Sequence, residues 1–163
     1  MGGNHEPYEM LDLFEMKSHN VLISCGPNVP YLGRAGAMSI GDFNVGWLSG
    51  IARAKMLPVR NTGKKERTYY VASEVEVAKK QGLALGDIHV LITHDWRSGI
   101  RDGMGTQLIC SITESLQLQL HICGHRYSFH QAIIGKTSVH AVNAVPSAVM
   151  GDDLFGCGGS MKW

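Results

Sequence analysis

Apolar and polar positions along this chain change rhythm several times, and each change predicts an element. Between Glu6 and Ser18, the positions of Met10, Leu11, Leu13, Phe14 and Met16 give a short helix with Pro7 near its first turn. From Val29 to Gly50 the rhythm is cut by Gly33, Gly36, Gly41 and Gly46. Runs such as Ala37–Ile40 and Phe43–Val45 then predict two or three short strands joined by tight turns. Ala52 to Thr68 has no periodicity and carries several charges, so it is predicted as a long loop. Ser73-Glu74-Val75-Glu76 reads as a capping box opening a helix that runs to about Gln81 and stops at Gly82.

Ile88 to Thr93 is a short β-branched run and predicts a buried strand, followed by a glycine-rich loop from Asp95 to Gly105. Helical spacing returns from Thr106 to Gln117 through Leu108, Ile109, Ile112 and Leu116, and Leu118 to Cys123 is again a strand. Gln131–Ile134 and Ser138–Val142 flank Gly135-Lys136 as a hairpin. Strands and helices in this order, with polar loops at the strand ends, favour a mixed α/β sandwich. The tail from residue 149 to 163 is glycine-rich and expected to be loose.

With 163 residues there is room for one domain with a core of its own. Lys and Arg number 15 against 14 Asp and Glu, so net charge supplies no general attraction to nucleic acid or to an anionic membrane. No apolar run approaches ~18 residues and no signal peptide is visible. A cytoplasmic protein with no membrane partner is the expectation. Cys25, Cys110, Cys123 and Cys157 are widely scattered, which suits reduced, mostly buried thiols. One basic stretch stands out, Arg60 to Arg67, with Lys64 and Lys65 inside it. It reads either as a solvated loop or as a segment that steers a phosphate-bearing substrate.

Candidate chemistry lies in three polar loops: Gly3-Asn4-His5-Glu6, Thr93-His94-Asp95-Trp96, and Cys123-Gly124-His125-Arg126-Tyr127. The last two place a histidine just past a short apolar strand. Loops at strand ends on one side of a sheet come together, and ligand sites of α/β folds form there. Asn4, His94 and His125 would offer one carbonyl oxygen and two imidazole nitrogens to a common point, a set suited to Mn, Fe, Zn or Ni rather than Ca. His5 would serve as an acid rather than a ligand. Any one of these histidines beside a glycine is ordinarily a loop residue; three such loops together carry more weight.

Taken in order, Gly3-Asn4-His5-Glu6, the strand-ending His94 and Gly124-His125-Arg126-Tyr127 resemble the third to fifth signature blocks of the calcineurin-like metallophosphoesterases. Tyr31-Leu32-Gly33, Trp47-Leu48-Ser49-Gly50-Ile51 and Asp87-Ile-His-Val-Leu-Ile-Thr-His94-Asp95-Trp96 are most similar to the RNA lariat debranching enzymes and their prokaryotic relatives. The resemblance implies the C-terminal portion of a four-layer α/β/β/α sandwich, covering residues 1–148 as a partial phosphoesterase domain. It implies a two-metal site in the complete family, with Asn4, His94 and His125 as ligands of the second metal. It gives His5 the contact to the scissile phosphate and the leaving oxygen.

Departures from the family pattern shape what is expected of this chain. The Asp-x-His and Gly-Asp-x-x-Asp blocks that supply most ligands of the first metal belong upstream, and the chain begins after them. Tyr127 stands where the family has a histidine for that first metal; a neutral phenol, with an ordinary pKa of ~10, is a poor ligand. His130 is a candidate substitute, and Arg97 replaces the usual proline after Asp95-Trp96. Asp87-Ile88-His89 matches Asp-x-His in letters only and reads as structural. At most one metal is therefore expected on this chain. The leading expectation is a metal-dependent phosphoesterase, a phosphodiesterase in particular, completed by upstream residues or by a separate N-terminal half and inactive without them. The alternative is a non-catalytic half-domain that binds a single metal or a partner. An RNA substrate rests on the Arg60–Arg67 stretch alone.

Overall fold

The computed structural model describes residues 1–17, 23–24, 30–54, 57–58, 60, 63–126 and 128–143. Helix α1 (Tyr8–Lys17) is followed by the two-residue strands β1 (Ile23–Ser24) and β2 (Pro30–Tyr31), then by the hairpin β3 (Ala35–Ile40) and β4 (Phe43–Leu48). Helix α2 (Ala72–Leu85) leads to β5 (Val90–Thr93), and α3 (Gln107–Leu116) leads to β6 (Leu120–Cys123). A final hairpin is formed by β7 (His130–Ile134) and β8 (Thr137–Ala141). Six strands make one sheet in the order β3-β4-β5-β6-β8-β7. The central four run parallel, and β3 and β7 close the edges antiparallel. This is the mixed α/β arrangement the residue pattern predicts. The tail, with Cys157, and Cys25 lie outside the described residues.

Helices α2 and α3 cover one face of the sheet. Val75 and Ala78 of α2 and Ile109, Ile112 and Leu116 of α3 pack with Leu48, Leu91 and Leu118 in one buried cluster. The loop after β5 continues that layer, with Trp96 buried against Cys123, Val139 and Ala141. Side chains alternate across a strand, so Val90, Ile92, Leu120 and Ile122 project from the opposite face, where each is only partly buried. Cys110 and Cys123 are buried, free thiols, as expected.

Two sequence signals fell in other places than expected. Helix α2 starts at Ala72, so Ser73 lies inside its first turn rather than capping it. Glu74 closes the end instead, accepting the Val71 N–H at 2.9 Å. Gly82 does not stop the helix. It is buried within α2, where a Cβ would sit 2.7 Å from a Leu116 methyl, so the glycine lets α2 and α3 approach closely. The terminating glycine is Gly86, at φ +86°. Asp87-Ile88-His89 is structural, as read: His89 Nδ1 accepts the Asn44 N–H and the Asp87 carbonyl accepts from the Asn44 amide.

Gly50, at the end of β4, has φ +84°, and a Cβ there would lie 2.5 Å from the Thr68 carbonyl oxygen. Its N–H also donates to the Gly2 carbonyl at 3.0 Å, which fastens the amino-terminal loop to the sheet. Gly50→Ala therefore meets both a left-handed backbone penalty and a backbone clash, and is expected to cost about 3 kcal/mol in urea unfolding.

Candidate metal and phosphate site

The carboxyl ends of β4, β5 and β6 point the same way because these strands are parallel. Three segments meet there. The amino-terminal segment is held across the end of β4, with the Gly2 N–H donating to Ser49 Oγ and that hydroxyl donating to the Gly33 carbonyl, both at 3.0 Å. Tyr8 Oη donates to the Gly3 carbonyl at 2.6 Å, which couples the loop to α1. Helix α1 is anchored in turn by Asp12, whose carboxylate takes a bidentate pair from Arg34 at 2.7 and 2.8 Å and a third bond from Arg67 at 3.0 Å. Burial alone would raise the Asp12 pKa, but the guanidinium groups of Arg34, Arg67 and Arg60 hold it below the ordinary carboxylate value.

The second loop carries His94. Its neighbour Asp95 is buried, and its carboxylate accepts the Trp96 N–H through Oδ1 and the Ala52 N–H through Oδ2, each at 2.8 Å. Thr93 Oγ1 donates to the Asp95 carbonyl at 2.6 Å, and His121 lies 2.8 Å from the same hydroxyl. With the threonine proton committed to Asp95, His121 Nε2 is the donor in that contact. The third loop follows β6. The Gly124 N–H donates to the His94 carbonyl at 3.2 Å, joining the two loops, and His125 adopts φ +71°, a conformation uncommon outside glycine.

These anchors bring the predicted trio together. His94 Nε2 lies 2.8 Å from Asn4 Oδ1, and the His94 and His125 rings are 5.0 Å apart between centroids. Asn4, His5, His94, His125, Arg126 and Asn143 border one cavity of about 400 Å³. Burial lowers the His94 pKa to about 4, with the neighbouring His125 acting in the same direction and Asp95 opposing. Burial also lowers the His125 pKa, against Asp95. Both imidazoles are therefore neutral at pH 7, the form that offers a lone pair to a cation.

An amide oxygen and neutral imidazole nitrogens are donor types suited to a first-row divalent metal, and Asn4 and His94 would hold one in place of the proton that now joins them. Gly3 is the spacing element: a Cβ there would press to 2.8 Å on His94 Cε1. Among the described residues, no three His, Cys, Asp or Glu side chains cluster as metal ligands, so the candidate centre depends on the Asn4 amide.

Other predicted residues lie elsewhere. His130 packs edge-on against Trp96 at 5.3 Å and does not line the cavity. Tyr127 lies outside the described residues. Arg60 and Arg67 engage Asp12, Arg60 also pairs with Glu74, and Lys64 and Lys65 are exposed; none of the four borders the cavity. Sequence reasoning passed over Asp95, the carboxylate that sets the His94 turn, and Arg126, whose Nε is buried without a hydrogen-bond partner beside the cavity. An acid directly after a strand-ending histidine was the available signal for the first, and a cation directly after His125 for the second.

The described sheet, its helices and this cavity define a mixed α/β domain with a polar site at the carboxyl ends of parallel strands. No protein-family model matches the sequence, and no curated protein does. Among solved structures, TT1561 of Thermus thermophilus is similar over 62% of this chain and 44% of that one, at 14% identity and a TM-score of 0.45. GAP50, described as the anchor in the inner membrane complex of Plasmodium, is similar over 67% of this chain and 36% of that one, at 9% identity and a TM-score of 0.43. The chain thus spans less than half the length of either. No helix of the described residues is long and apolar enough to cross a membrane.

Proposed function

We propose that the chain carries one metal-binding half of a phosphoesterase centre acting on phosphate diesters. The observation that supports this best is the convergence of Asn4, His94 and His125, from the ends of three different chain segments, on one cavity. The motif resemblance of the same residues to the metallophosphoesterases points the same way. Asn4, His94 and His125 would hold a divalent ion such as Mn, Fe, Zn or Ni. That ion would supply Lewis-acid stabilisation of charge on a phosphoryl oxygen.

The remaining groups act as binders and proton carriers. Arg126 brings a guanidinium to the cavity wall, where a phosphate oxygen would satisfy its buried Nε. His5 is exposed at the cavity edge and free to turn toward an ester oxygen, so its proposed role is to donate a proton as that oxygen leaves. The trio supplies ligands for one metal, so on its own it is expected to bind metal and phosphate, and turnover would need the second metal of a complete two-metal site.

The test uses the full-length protein that carries this chain, assayed on a bis-aryl phosphodiester with added Mn²⁺. His5→Ala is expected to lower kcat about 100-fold or more, the scale of a lost general acid. Arg126→Ala is expected to raise KM. No metal-stimulated turnover by the parent protein would sink the hydrolase reading. Stoichiometric metal uptake without turnover would instead favour the single-metal binding module, which the same trio supports.

A further inference from the structure

A second cavity lies on the helix-covered side of the sheet and shares no residue with the first. About 230 Å³ in volume, it is bordered by Arg97, Thr113, Glu114, Gln117, Lys136 and the β7–β8 turn. Arg97 follows the His94 loop and is only 5% exposed, yet its positive charge is poorly answered. Its Nε donates to the Ser98 carbonyl at a long 3.3 Å. Its terminal nitrogen comes no nearer than 4.0 Å to Glu114, a side chain that stands 65% in solvent. No other acceptor meets this guanidinium among the described residues.

A guanidinium carries five N–H donors and cannot shed its proton. Burying one with a single distant carboxylate as counter-charge is unfavourable unless an anion completes the set. The cavity holds a second cation, Lys136, exposed at the turn, against the one carboxylate of Glu114, so its lining is net positive. Thr113 spends its hydroxyl proton on the Cys110 carbonyl and so presents lone pairs only. Drug-sized ligand pockets run from ~300 to 1,000 Å³, and this smaller space suits a compact group.

We propose that this cavity is a binding site for a small oxyanion, a phosphate or carboxylate group, held by the buried Arg97 and by Lys136. It is independent of the phosphoesterase reading, because neither the metal trio nor His5 or Arg126 takes part. Arg97 is also the residue that stands where the similar family carries proline, so the site belongs to this chain's own departure from that pattern.

The probes are inorganic phosphate and acetate, added to the full chain in the presence of a chelator, with chloride at matched ionic strength as the baseline. Saturable thermal stabilisation by phosphate or by acetate is expected, and which of the two acts tells a tetrahedral from a planar anion. Arg97→Gln should weaken the apparent Kd at least about tenfold, as removal of a charged hydrogen-bonding partner does. Lys136→Ala, at an exposed position, gives the same direction in a chain that folds even if Arg97→Gln does not. Arg126→Ala, which removes the guanidinium of the first cavity, should leave the effect intact. No saturable effect of either anion, or an effect that Lys136→Ala leaves unchanged, would overturn the proposal.

Discussion

Replacing His94 with alanine is expected to weaken Mn²⁺ or Zn²⁺ binding by more than about 100-fold, since even outer partners of metal ligands are worth 10–100-fold. His94 touches Asn4 directly, faces His125 across 5.0 Å, and forms the wall against which Gly3 lies. Titration calorimetry on the wild type and on the His94→Ala and His125→Ala chains reads the loss. The pH dependence adds a sharper criterion. A metal competes with a proton for each imidazole, and an ordinary histidine would begin to lose metal near pH 6.5. With the His94 pKa lowered to about 4, its protonation in the folded chain competes only near that pH. In the His125→Ala chain, where His94 is the remaining imidazole ligand, metal affinity that declines with a midpoint near 6.5 contradicts the buried, neutral His94.

The second large effect concerns stability in mild acid. His121 is completely buried in β6, and burial lowers its pKa to about 3, with the nearby Arg97 acting in the same direction. In the unfolded chain the same ring titrates near 6.5. Between those values the unfolded state takes up a proton that the folded state refuses, so stability is greatest above pH 6.5 and falls as the pH drops toward 3. Each pH unit inside that window costs about 1.4 kcal/mol per such group. Lowering the pH from 6.5 to 5 should thus remove roughly 2 kcal/mol, a large share of the ~5–15 kcal/mol available to a domain. His121→Gln, which can still donate to Thr93, should flatten this part of the curve. Urea midpoints at pH 7 and pH 5 decide the matter, and a wild-type midpoint that does not move would contradict the buried, unprotonated ring.

Much of the fold could be read from residues because the strong signals are local. The β-branched run before His94, the helical spacing through Ile109, Ile112 and Leu116, and the Gly135-Lys136 turn each describe an element that needs few distant partners. Gly135 shows why the turn was legible: it takes φ +62° at the first of two linking positions. Gly82 misled for the opposite reason. Its meaning lies in Leu116 on another helix, and tertiary packing overrode the local preference of glycine for helix ends.

The site divides in the same way. His94 and His125 could be proposed because they sat at predicted strand ends, which parallel strands carry to one side, and Asn4 because it lies in a polar loop of ligand-type residues. Residue chemistry suggested a metal-ligand set and an acid there, and motif resemblance added the proposed second-metal assignment and the phosphate contact of His5. Asp95 and Arg126 had only a weak signal, their place directly after His94 and His125, since their parts depend on backbone groups and burial supplied from elsewhere in the chain. Asp95 reaches the Ala52 N–H, 43 residues away in sequence, and nothing in the local pattern announces that contact. His121 was read only as part of a strand, although its ring supports the turn that presents His94.

X-ray absorption spectroscopy of the Zn²⁺- or Mn²⁺-loaded chain addresses the central claim most directly. Two imidazole nitrogens and at least one oxygen in the first coordination shell are the predicted result, with imidazole scattering halved in His94→Ala. A metal bound with no imidazole in its first shell would mean that the three loops do not form a metal centre.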